Sequence, residues 1–159
     1  MAFDSSNVTS AQVNAQAVDA AISLRGVHGE RYGRMVEPNE GLDCVGLVER
    51  VAAIIGATVS IDPDWQTKGG DLPMLPVPVN QGQPGDVLVF DMGAGNTAFR
   101  RFQLGILRQG NVSDPRALFV GVPHAVAEVW LNAGPWKTSL IGAYRFIVMP
   151  ARLVEDAAA

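Results

Sequence analysis

Cysteine occurs once and histidine twice among the 159 residues, and the three positions, His28, Cys44 and His124, stand far apart in the chain. A single thiol excludes an internal disulfide, and the spacing is not that of a zinc site. No metal or cofactor is expected. Charge is also scarce: Asp, Glu, Lys and Arg make up 18% of the chain, the formal net charge is -4, and no local run is basic. Neither nucleic acid nor an anionic membrane is therefore an expected partner. No uninterrupted apolar stretch approaches the roughly 18 residues that a membrane-spanning helix needs. The opening MAFDSSNVTSAQVNAQ lacks the basic leader and apolar run of a secretory signal. The expectation is a soluble chain made in the cytoplasm, with no membrane segment and no signal peptide.

What is present is enough apolar material for a core. At 48% apolar residues, the chain suits one compact domain, expected over residues 1–150, with an acidic, alanine-rich tail over 151–159. Ser10 is the expected cap of a helix in which Val13, Ala17, Ala20, Ala21 and Leu24 recur at helical spacing before Gly26. Residues 25–42 are rich in glycine and mixed charge and read as a loop. Asp43 then offers an N-cap carboxylate to a second helix, whose Val45, Val48, Val51, Ala52 and Ile55 follow at three- and four-residue steps to Gly56.

Residues 57–85 carry so many prolines and glycines that no regular structure is expected, only a long loop of the kind that frames a site or makes a surface excursion. Short strands are expected at Asp86–Phe90, Gln103–Leu107, Leu118–Val122, Ala125–Leu131 and Ala143–Val148. Helices first and strands afterwards indicate a segregated α+β fold, with a sheet of about five antiparallel strands.

The stretch GLDCVGLVERV, residues 41–51, places Cys44 in the first turn of the second helix. Unpaired N–H groups and the positive dipole end lower a thiol pKa there, and Gly46 lets a neighbour approach the sulfur. Two readings stand side by side, a nucleophile and a small buried packing residue. A thiol nucleophile is usually served by a histidine base. His28 lies in a glycine-rich loop, and His124 follows Pro123 at the hinge between two expected strands, where its ring could face a cleft.

GLDCVGLVERV resembles the nucleophile motif of the NlpC/P60 cysteine peptidases, in which Asp-Cys-x-Gly-Leu/Phe-Val opens the helix bearing the thiol. QPGDVLVF resembles the Pro-Gly-Asp strand that follows in that family, QLGIL its His-x-Gly-Ile strand, and VPHAVAEVW its later His-Ala segment. GPWKTSLIGAYRF is similar to the closing Trp and Tyr/Phe-Arg-Phe pattern of the phage-tail and gene-transfer-agent branch. The motifs occur in the family's order over residues 20–148.

The resemblance implies a papain-like α+β fold and a catalytic Cys44 that would cleave an amide bond of cell-wall peptides. It also implies a virion-tail location, with other tail-tip or hub proteins, and peptidoglycan peptide, as partners. His124 matches the residue that orients the base. The base position itself is held by Gln103, whose amide does not titrate near neutral pH and cannot take the thiol proton. The expected result is a tail component with weakened or lost peptidase activity, the alternative an active peptidase using Cys44 and His124 as a dyad. A Gln103→His substitution is expected from this reading to raise thiol reactivity.

Overall fold

The computed structural model describes residues 10–29, 41–95, 100–110, 113–120 and 125–148. Helix α1 covers Ser10–Ser23 and α2 covers Cys44–Ile55. The apolar positions anticipated for α1 are buried, and four of its buried positions are Val or Ala, so α1 packs closely along α2. The capping expected of Ser10 falls on a side chain outside those described. Asp43 caps α2: its backbone is extended, and Oδ1 accepts the Gly46 N–H at 2.7 Å. At the other end Gly56 adopts φ 82°, and its N–H is directed to the Ala52 and Ala53 carbonyls. That left-handed closure favours glycine.

The 57–85 segment departs from expectation. It holds a one-turn helix α3, Trp65–Lys68, and a short strand β1, Leu75–Val77. Neither is long enough to leave a periodic signal, and Pro76 argues against a central strand, as does its observed place on a sheet edge. The other strands are β2 (Val87–Asp91), β3 (Phe102–Gln109), β4 (Arg116–Val120), β5 (Val126–Trp130) and β6 (Leu140–Arg145). A second short helix, α4, spans Trp136–Ser139 just before β6. The sheet therefore has six strands rather than five, in the order β1-β6-β2-β3-β4-β5, with every pairing antiparallel.

Alternation along the strands gives the sheet two apolar faces. Val87, Val89, Leu104, Ile106, Leu118 and Val120 belong to the main core with α1 and α2. Leu88, Phe90, Leu107, Ala117 and Ala143 form a smaller cluster on the opposite face. Trp136 of α4 closes that second face, edge-on to Phe90 at 5.3 Å and to Phe119 at 4.4 Å.

One buried carboxylate ties the layers together. Asp86 has no exposed surface, and Arg145 of β6 grips it through Nε to Oδ1 at 2.8 Å and Nη2 to Oδ2 at 2.9 Å. Asn14 of α1 donates to the same Oδ1 at 2.9 Å and to the Pro84 carbonyl at 2.8 Å. The Gln83 N–H completes the shell at 2.7 Å from Oδ2. Gly85, at φ 96°, lets the chain pass against α1: an added Cβ would lie 2.4 Å from the Asn14 carbonyl oxygen.

Two outcomes follow for stability. Removing one partner of a buried ion pair strands the other charge and costs about 3–5 kcal/mol, so Arg145→Met is expected to lower the urea-unfolding free energy by that much. By contrast Arg101, paired with the half-buried Asp91 at 3.1 Å across more exposed surface, is expected to leave the unfolding free energy almost unchanged when changed to Met.

Candidate active site

The approach to α2 is fixed before the helix begins. The Leu42 N–H donates to the His28 carbonyl at 2.9 Å, Gly29 bridges Leu42 in parallel, and His28 bridges Ala125 antiparallel. With Asp43 then turned back on Gly46, Cys44 becomes the first residue of α2. Its side chain is 1% exposed. The thiol is therefore at once a helix-start residue and a core residue, so burial alone does not separate the two readings of the motif.

A polar neighbour of the sulfur comes from α3. Gln66 Nε2 donates to Cys44 Sγ at 3.1 Å, and Arg100 Nη1 donates to Gln66 Oε1 at 3.0 Å. α3 is held by its own apolar anchor. Trp65, 2% exposed, packs on Phe102 with ring centroids 5.9 Å apart and donates its indole N–H to the Gly70 carbonyl at 3.0 Å. At its end Gly69, at φ 68°, lies so close to Phe102 that an added Cβ would be 2.8 Å from the ring. Lys68 is paired with Asp62 at 2.6 Å; this hydrogen bond holds the Asp62 carboxyl below its ordinary range and the Lys68 ammonium above its own.

Gln103 lies on β3, and its Nε2 donates to the Arg100 carbonyl at 2.9 Å. In the β2–β3 register it stands opposite Phe90, a member of the cluster on the far face. The neighbouring Leu104 belongs to the core under α2. Strand alternation thus turns Gln103 to the face away from α2, and its amide braces the turn that carries Arg100. His28 is exposed. His124 lies outside the described residues, as do Glu30–Glu40 and the 151–159 tail.

Gln66 and Arg100 were not among the residues singled out from the sequence. Gln66 sits in the segment read as irregular, and Arg100 precedes β3 in a stretch with no apolar period. The one sequence signal, and only for Gln66, is the proline- and glycine-rich 57–85 segment, of the kind that frames a site or makes a surface excursion.

No family model matches the sequence, and no curated protein matches it. Solved structures do. A protein similar to lipoprotein of the NLP/P60 family from Staphylococcus aureus aligns with TM-score 0.61 and 19% identity over 87% of this chain and 42% of its own. The peptidoglycan hydrolase RipB of Mycobacterium tuberculosis aligns with TM-score 0.56 and 19% identity over 94% and 74%. The P60 domain of an antigen from M. avium paratuberculosis aligns with TM-score 0.58 and 17% identity over 87% and 96%. The chain thus spans less than half of the staphylococcal protein but nearly all of the isolated P60 domain. At these identities the likeness is one of fold: the chain has the papain-like α+β architecture of the NlpC/P60 proteins.

The register bears on the substitution suggested by the motif. With position 103 on the face opposite α2, Gln103→His is expected to leave the rate of Cys44 alkylation by iodoacetamide unchanged. A faster reaction would show that the ring reaches the sulfur around the start of β3.

Proposed function

We propose that this chain is an NlpC/P60-fold domain of the phage-tail type, working as a tail-tip or hub component, with cell-wall peptidase activity weakened or lost. The observation that carries the loss of activity is the surroundings of the thiol: Gln66 donates to Cys44 Sγ at 3.1 Å, while Gln103, at the motif position of the base, is an amide on the sheet face away from α2. The thiol is enclosed, with Cys44 and Gln66 only 1% and 2% exposed. General base catalysis is worth about a hundred- to ten-thousand-fold, and hydrolysis of an amide also needs a proton for the departing amine. A domain that keeps the fold without this machinery is suited to holding partners or peptide. Support for the tail role comes from the closing GPWKTSLIGAYRF segment and its similarity to the tail branch.

An active peptidase is the second reading. It is favoured by the capped helix start that places Cys44 as nucleophiles are placed in this fold, and by the description of the fold neighbour RipB as a peptidoglycan hydrolase. Incubation with purified muropeptides decides between them. Wild type and Cys44→Ala are expected to give the same product profile, and Cys44-dependent cleavage would establish the peptidase instead. For the tail role, antibody against the chain is expected to decorate the tail tip of purified particles in electron micrographs; absence of the chain from the particles would remove that role.

A further inference from the structure

The hydrogen bond from Gln66 to Cys44 has a direction, and Arg100 sets it. A guanidinium carries donors only, so the end of the Gln66 amide that meets it is the carbonyl, and the NH2 is turned to the sulfur. The sulfur is therefore an acceptor in this chain of contacts. A neutral thiol accepts weakly, whereas hydrogen bonds to an ionised partner are markedly stronger. Burial in the core opposes a charge on Cys44, whereas its place as the first residue of a capped twelve-residue helix, where unpaired N–H groups and the dipole favour negative charge, offsets that cost.

We infer that Gln66, oriented by Arg100, forms a positioning pair that holds Cys44 as the thiolate, the proton being released to solvent. This rests on the reading of Cys44 as the nucleophile position of the fold, and not on any peptide being cleaved. A held thiolate needs no base to attack, yet supplies no proton to a departing amine. The two properties, a charged sulfur and little or no amidase activity, are compatible.

Among the described residues, charged groups on the elements around Cys44 have the following places. On α2 and its cap, Asp43 is turned to the Gly46 N–H at 2.7 Å and Glu49 accepts from the Ile61 N–H at 3.1 Å. On α1, Asp19 lines a groove with Ile54 and Ile55, at the far end of α2 and about 15 Å along the helix axis from Cys44. Beside α3, Lys68 is paired with Asp62; on β2 and its neighbouring turn Asp91 is paired with Arg101; on β3 and β4, Arg108 is paired with Glu128 and Arg116 with Asp114. His28 is exposed at its bridge to Ala125. Arg100 is the cation that a polar side chain links to the sulfur.

Because the chain contains one cysteine, the ultraviolet absorbance of the thiolate, taken as the difference from Cys44→Ser, titrates this sulfur alone and needs no reagent to enter the core. The wild-type inflection is expected below the unperturbed value of about 8.5. Gln66→Ala and Arg100→Met are each expected to raise it by about one pH unit or more. Gln66→Glu, which turns a carboxylate toward the sulfur, is expected to raise it further, and Arg100→Lys to keep most of the wild-type value. A purely structural role would lower the melting temperature and leave the inflection in place. If Gln66→Ala does not fold, the Arg100 pair of variants carries the test. A wild-type inflection at or above about 8.5, or no rise on removing either partner, overturns the proposal. Muropeptide cleavage is a separate readout, so its outcome bears on the proposed function and not on this pair.

Discussion

The structure depends on a carboxylate withdrawn from water. Asp86 is fully buried at the start of β2, and its two oxygens are shared among a guanidinium, an amide side chain and a backbone N–H. Burying a charge is costly unless it is paired and hydrogen-bonded, and here the compensation must come from three parts of the chain at once. Arg145 arrives from β6, Asn14 from α1 and Gln83 from the turn before β2. The same contact therefore sets the distance between helix layer and sheet and joins β6 to β2. It is also why the glycine before Asp86 has to be a glycine, since the α1 backbone occupies the place of a side chain.

Against that frame α2 is positioned twice over, by its apolar face and by its cap. Val45, Leu47, Val48 and Val51 have no exposed surface, which anchors the helix on β3 and β4. The Asp43 cap defines where the helix starts, and so where the sulfur stands. The surroundings of the sulfur are then built from elements with no regularity of their own: a one-turn helix held by Trp65 and a turn braced by Gln103. The outcome is a thiol that accepts from an amide, with a guanidinium behind that amide.

Much of this could be read from the residues. The two long helices, the Asp43 cap and Gly56 closure of α2 and the five longer strands follow from period, breakers and turn chemistry, because each buries one face against the core. β1 and α3 leave no such signal, for a physical reason. Three or four residues carry no period, and Pro76 contradicts a strand unless the strand is known to be an edge. Cys44 and the Asp43 cap were legible because they sit on the best-patterned helix. Gln66 and Arg100 were not, since they meet the sulfur through tertiary contact and neither lies in an element with a sequence signature. The register of Gln103 was beyond the motif as well: a short strand motif identifies a position, and only the neighbouring strand tells which face it occupies.

The contacts that make the site also differ from the rest of the helix in span. The cap joins residues three apart, but the sulfur meets Gln66 across 22 residues, and Gln66 meets Arg100 across 34. Closing such spans carries an entropic cost that local helix formation does not. The helix that presents the sulfur is thus specified locally, while the chemical character of that sulfur is a property of the whole assembled chain. Two chains could share the residue 41–51 motif letter for letter and still carry thiols of different reactivity, according to what the distant 57–85 segment folds back to place beside them.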